Sequence, residues 1–331
     1  MKWRFTILSF VCILQGHAQL NPQQEHQIDS IKKVVKTAAH DTTIIKAWKA
    51  WDDIIYVSDP DQDLELNQKI AETASKNLNR KLHKKEKAFF LNSKTFALNN
   101  IGTFYYQHAD YANAFDNYFK SLKIAEELND SSRIGLTLGN IANVYFSQEN
   151  FNKSLEYNLK SLKIKKDIGH KNGIAITLSN IASVYSAKSD HIKALESYFE
   201  ALKMAEELSF KQLQANTLLN IGLVYFRLRS HKESEEYFFR ALEMYEQISD
   251  KNGIAVTLGH MGSLFINTGK FALAEKYLLR ASGLSESVGA RSFYRDHHYN
   301  LSRLYDTTGR HKLALIHYKK FISQRDSIAS E

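Results

Sequence analysis

From Leu98 onward the apolar positions of this chain fall into helical stripes that return every 40 residues. In one such stretch Leu138, Ile141 and Tyr145 stand at i, i+3 and i+7, which sets them on one face of a helix. After Gln148-Glu149-Asn150 a second stripe runs through Phe151, Leu155, Leu159, Leu162 and Ile168. Ile101, Ile141, Ile181, Ile221, Met261 and Leu301 share one phase. Each is followed by a small residue (Gly102, Ala142, Ala182, Gly222, Gly262, Ser302) and, four positions on, by an aromatic (Tyr105, Tyr145, Tyr185, Tyr225, Phe265, Tyr305). Helix-stopping or N-capping residues recur between the stripes at Ala109-Asp110, Ser189-Asp190, Thr268-Gly269 and Thr308-Gly309. The pattern predicts antiparallel helix pairs stacked side by side, an all-α fold in which no pair buries its apolar stripe alone.

The small residues explain how a pair closes. Gly or Ala after the repeated Ile, with Ala114, Ser154, Ala194, Ser234, Ala274 and Ala314 in the second helix, lets the helices approach, and Tyr118, Tyr198 and Phe238 fill the space beside them. Burying one such ring stabilises by roughly 1.5–3 kcal/mol. The only prolines are Pro22 and Pro60, so no proline interrupts the repeated helices.

Composition changes this picture mainly at the two ends. Lys2 and Arg4, the apolar run Phe5 to Leu14 and the small-x-small triplet Gly16-His17-Ala18 make residues 1–18 a predicted signal peptide, cleaved after Ala18. The apolar run is too short to span a bilayer. Cys12, the single cysteine, lies inside it, so the mature chain is expected to have no thiol, disulfide or lipid anchor and to be periplasmic or secreted. The formal net charge of +8 is spread out; its densest runs, Lys81 to Lys87 and Lys163 to Lys166, lie on predicted helices and read as solvated faces. Nucleic acid is therefore not an expected partner, and no stable membrane insertion is expected of the mature chain. Residues 19–94 read as a linker and a degenerate helical cap, with helices at Ile28 to Ala39, Thr42 to Val57 and Leu64 to Leu78, and residues 95–331 as six repeats. The last helix, with Leu313, Leu315, Ile316, Phe321 and Ile322, is left with an apolar face that calls for a partner, a second copy of the chain being one candidate.

The order Leu178, Ile181, Ala182, Tyr185, Ala194, Tyr198, Ala201 resembles the tetratricopeptide repeat. The unit of 40 residues without a closing proline is similar to the longer-helix subclass of kinesin light chains and bacterial signalling proteins. The resemblance implies a right-handed α-solenoid whose first helices line a concave groove for ligands. Asn158 and Leu278 depart from the second aromatic position and Phe321 from the last small one.

One column stands out in that groove. The residue before each repeated Ile is Asn100, Asn140, Asn180, Asn220, His260 or Asn300. Asparagine is a mediocre helix former, so five in register want a reason. An amide offers a donor and an acceptor, the pair that holds a peptide backbone unit whatever its side chain; similar proteins use this position as a ladder along an extended peptide. The same amides could instead bond to the adjacent helix and fix stacking. Neighbouring candidates for ligand contact are Asn143, Phe146, Leu223, Phe226 and Arg227, together with Thr103, Tyr106 and Gln107, and Ser179, Ser183 and Ser186 read as a shallow patch.

Catalytic chemistry is not in view. No G-x-G-x-x-G, G-x-S-x-G, P-loop or H-E-x-x-H string occurs, and no catalytic residue, cofactor or metal is nominated. His191, His231 and His311 share a position held elsewhere by Tyr111, Phe151 and Phe271, which reads as an aromatic plug at the turn. The sequence thus points to an exported, non-enzymatic scaffold that binds a peptide or protein segment. The alternative is the periplasmic input module of a truncated or split membrane signalling protein, since Tyr318 to Ser327 resembles the segment that precedes a membrane helix in bacterial sensors.

Overall fold

The computed structural model describes residues 20–56 and 58–330, with side chains to residue 328. The signal-peptide reading of residues 1–18 lies outside them. Fifteen helices and no strand occur among the described residues: α1 (Pro22–Thr37), α2 (Asp41–Ile55), α3 (Pro60–Leu78), α4 (Lys84–Gln107), α5 (Tyr111–Glu127), α6 (Ser131–Ser147), α7 (Phe151–Asp167), α8 (Lys171–Ala187), α9 (His191–Glu207), α10 (Lys211–Arg227), α11 (His231–Gln247), α12 (Lys251–Asn267), α13 (Phe271–Ser287), α14 (Arg291–Thr307) and α15 (His311–Ser330). The fold is all-α, as the stripes predict.

From α5 to α14 every helix is 17 residues long, and the chain reverses in the same three residues each time. The turn residue lies in the left-handed region at Ala109, Asn129, Glu149, Gly169, Ser189, Ser209, Arg229, Ser249, Gly269, Gly289 and Gly309, with φ between 52° and 72°. At the first of these Ala109 N–H donates to Tyr106 O at 3.1 Å and Asp110 N–H to Tyr105 O at 2.9 Å, closing the last turn of α4. Asp110 then starts α5, its carboxylate accepting from Asn113 N–H at 3.1 Å. One reversal therefore ends one helix and caps the next, and its repetition keeps the helix pairs in register.

The chain gathers into two compact units, residues 20–177 and 178–330 as described, with the division inside α8. In the N-terminal unit α4 pairs with α5 and α6 with α7, and α5 packs on α6. Their core joins Tyr106, Ala114, Tyr118, Leu122, Leu138, Ile141 and Val144. Before it, Ile45, Ile70, Ala74, Phe90 and Ala97 form a second cluster, and Ile28, Ile55 and Leu66 a third. The early helices match the sequence reading to within a few residues at most ends, but α4 is longer than its successors and runs from Lys84 across the boundary read at residues 94 and 95. In the C-terminal unit the pairs are α10 with α11, α12 with α13 and α14 with α15. Each unit is a solenoid segment of stacked helix pairs.

The small positions work through ring-on-glycine contact. A Cβ on Gly102 would meet the Tyr118 ring at 2.8 Å, one on Gly222 the Phe238 ring at 2.6 Å, and one on Gly262 the Leu278 side chain at 2.4 Å. Polar complementarity follows the same register: Tyr118 Oη lies 3.0 Å from Thr103 Oγ1 and Tyr198 Oη 2.8 Å from Ser183 Oγ. Where the partner ring is Phe238, with no hydroxyl, the matching residue is the buried Leu223.

Candidate functional site

The first helix of each pair carries the candidate residues, and within each unit these helices run side by side. In the N-terminal unit α4 touches both α2 and α6. Asn100 Nδ2 donates to Asp52 Oδ2 at 3.3 Å, and Asn140 Nδ2 donates to Asn99 Oδ1 at 3.1 Å. Tyr106 Oη and Ser147 Oγ, at 3.0 Å, repeat the lateral link from α4 to α6. Asn140 uses one donor here, and Asn100, Asn140 and Asn143 are all half-buried. Phe146 packs its ring edge-on against Phe151 at 5.5 Å, so it belongs partly to the aromatic plug at the turn.

In the C-terminal unit the same face is more closed. Asn180 is half-buried, whereas Asn220 is 8% exposed and Leu223 is 7% exposed, which leaves little of either for a ligand. Arg227 donates to Ser186 Oγ at 3.0 Å and, at 3.4 Å, to Ser186 O, and Ser183 donates to Ser179 O. Ser179, Ser183 and Ser186 are therefore buried, with Ser183 and Ser186 engaged inside the unit, rather than a shallow open patch. Phe226 lies 6.4 Å from His231, the counterpart of the Phe146–Phe151 plug, and His260 stacks on Phe238 at 6.0 Å. Burial holds the His260 ring down to about 4, with Arg227 adding to the effect.

Other buried polar groups lie on the first and second helices alike. Asp52 and Asp63 are both buried and share Asn67, whose Nδ2 donates to Asp52 and, at 2.9 Å, to Asp63 O. Desolvation raises both carboxyls, so the pair retains a proton that exposed carboxyls have lost. Beside them Lys49 Nζ donates to Ser93 Oγ at 3.1 Å and sits 4.8 Å above the Phe96 ring; burial, then Arg133, lowers its amine to about 8. Lys165 is 7% exposed, donates to Thr177 Oγ1 at 2.8 Å, and is lowered to about 8 by desolvation. Lys165 is detectable in the sequence, because it puts a charge into a column that holds Ala125, Ala205, Tyr245 and Ser285, all wholly buried, before the exposed Arg325; Asp52 and Asp63 are not, since they lie where the period fades. Among the described residues no group of three or more His, Cys, Asp or Glu could hold a metal ion, and no helix is long and apolar enough to cross a membrane.

The geometry is that of a repeat scaffold, and sequence comparison agrees. A family model described as tetratricopeptide repeat matches residues 95–167, 173–247 and 213–287, and a second of the same description matches 298–327. The chain belongs to the tetratricopeptide repeat family. A search of curated proteins finds no match. Among solved structures the chain is similar to NprR in complex with its cognate peptide NprX, at 17% identity and a TM-score of 0.63 over 93% of this chain and 85% of that one. It is similar also to the Rap conjugation gene regulator of plasmid pLS20 in complex with the Phr* peptide, at 11% identity and 0.60 over 93% and 96%. BtubC from P. vanneervenii aligns at 18% identity and 0.58 over 69% of this chain and 91% of that one. At these identities the likeness is one of fold.

Proposed function

We propose that this protein is a non-enzymatic scaffold that takes a peptide or protein segment on the face of its first helices, with the in-register amides holding the segment's backbone. The observation that carries the reading is the row of polar side chains across α2, α4 and α6, the Asp52 carboxylate and the Asn100, Asn99 and Asn140 amides, in which Asn140 commits one donor to Asn99 and keeps its carbonyl oxygen outside that bond. The solved complexes of NprR and the Rap regulator with peptides support the ligand class. The tripartite pattern of residues 1–18 supports export, and we assign the mature chain to the periplasm or the exterior. A role as the input module of a membrane signalling protein is the second reading, favoured by the exposed Leu315, Ile316 and Tyr318 on α15.

The test replaces Asn140 and Asn180, both half-buried, by Ala and uses the mature chain as bait in a periplasmic extract. Capture is expected to weaken, while helical content and melting temperature stay near wild type, because each surface-side amide bond is worth only about 1 kcal/mol. A loss of stability with capture unchanged would assign the amides to stacking alone.

A further inference from the structure

The second helices share an exposed column on the opposite kind of face. Phe119 on α5, Leu159 on α7, Phe199 on α9, Phe239 on α11 and Leu279 on α13 stand 40 residues apart and are each 38–47% exposed. Single exposed apolar residues are ordinary, but one repeat position left open on α5 and α7 in the N-terminal unit and on α9, α11 and α13 in the C-terminal unit defines a surface within each. In the N-terminal unit that surface is continuous, with Phe119 5.9 Å from Phe115 and 6.5 Å from Tyr157.

The charge around this column reverses between the two units. On α7 the residues four and seven positions after Leu159, on the same face, are Lys163 and Lys166; on α11 those after Phe239 are Glu243 and Glu246. Over its whole length α7 has five Lys against Glu156 and Asp167, whereas α11 has five Glu against Lys232 and Arg240. Glu236, Phe239, Arg240, Leu242, Glu243 and Glu246 line a shallow, open depression along α11. Glu246 pairs with Arg280 at 2.7 Å, while Glu236 and Glu243, like Lys163 and Lys166, have no ion-pair partner among the described residues.

We propose that two copies of this chain associate through these faces, the Leu159, Lys163 and Lys166 face of α7 in one copy lying on the Phe239, Glu243 and Glu246 face of α11 in the other. The chain itself carries both halves of the match. Because α7 and α11 are repeats of one element, Lys163 and Lys166 follow Leu159 at the same spacing at which Glu243 and Glu246 follow Phe239, and at those two positions the sign reverses, while Glu156 and Glu236, and Lys160 and Arg240, keep theirs. Pairing α7 with α7, or α11 with α11, would set like charges together, so the complementary pairing is selected. A contact of this kind joins different patches on the two copies.

Sedimentation velocity on the mature chain tests this directly. The expected result is concentration-dependent association at low salt that weakens as salt rises. Lys163→Glu with Lys166→Glu, and separately Glu236→Lys with Glu243→Lys, should each weaken association about tenfold or more with circular dichroism unchanged. An equimolar mixture of the two variants should associate again, since each then supplies the face the other needs. A wild-type chain that stays monomeric at every concentration reached overturns the proposal. So does association that survives both reversals and is lost with Ile316→Ser, which would place the contact on α15.

Discussion

Lowering the pH from 7 to 4.5 should destabilise the C-terminal unit by several kcal/mol, and His297→Gln should remove much of that loss. His297 and His298 are 4% and 3% exposed, on a helix packed between α13 and α15. The His297 ring lies where a side chain on Gly259 would stand, and its Nε2 has no hydrogen-bond partner. Desolvation lowers it to about 3, with His260 and His298 adding repulsion. Burial also lowers His298 to about 4, and its Nδ1 faces Nδ1 of His317 at 2.8 Å, a contact that needs one neutral ring. In the unfolded chain each ring titrates near 6.5. Between 6.5 and the folded value the unfolded state binds more protons, so stability is intact above 6.5 and is lost as pH falls toward 3. Each pH unit costs about 1.4 kcal/mol per ring, which is on the order of 3 kcal/mol from His297 alone by pH 4.5. Urea denaturation across this range measures the slope; a profile equally flat in wild type and variant would contradict the buried neutral state.

Replacing Lys165 by Met should stabilise the N-terminal unit by about 2 kcal/mol at pH 7, although it removes a hydrogen bond. The lysine enters a column where Ala125 and Ala205 are wholly buried. It fits because the facing positions lack side chains: a Cβ on Gly173 would meet Lys165 Cδ at 3.0 Å, and one on Gly139 would meet Nζ at 3.6 Å. Thr177 is its hydrogen-bond acceptor, and desolvation is the whole cause of the fall from 10.5 to about 8. A folded value below the unfolded one means the full penalty acts at pH 7 and is relieved as pH rises from 8 to 10.5. That penalty is roughly 3 kcal/mol, against about 1 kcal/mol for the lost bond. Wild type should therefore gain stability across that alkaline window and Lys165→Met should not. A Met variant less stable than wild type at pH 7 would contradict the assignment of an uncompensated buried charge.

These two residues also mark what the sequence can and cannot reveal. The 40-residue period exposes the helix pairs, because a repeated apolar stripe needs the same neighbour each time, and it exposes the turns through Asp110, Asn150, Asp190 and Asp250 at helix starts. It also makes Lys165 visible as an exception. The lateral bonds are another matter. Asn140 bonds Asn99, one position off its own column, and no reading of a single repeat contains that offset between neighbouring helices. Likewise Leu223 reads as a groove residue by spacing, yet its position is matched to the ring beneath it, and the pairing of Thr103 with Tyr118 and Ser183 with Tyr198 becomes evident only when both helices are placed. Before Lys84 the period fails, so the buried Asp52, Asp63 and Asn67 carry no pattern that separates them from surface polar residues.

The claim that a ligand lies along the first helices is tested most directly by site-specific photo-crosslinking. A benzophenone side chain placed at Gln107 or Asn143 on that face, or at Phe119 or Lys203 on the second helices, is irradiated in periplasmic extract and its adducts are identified by mass. The account predicts adducts with a peptide or a foreign protein from Gln107 and Asn143, and from Phe119 and Lys203 none beyond a second copy of the chain. Foreign adducts from Phe119 and Lys203, with none from Gln107 or Asn143, would contradict it.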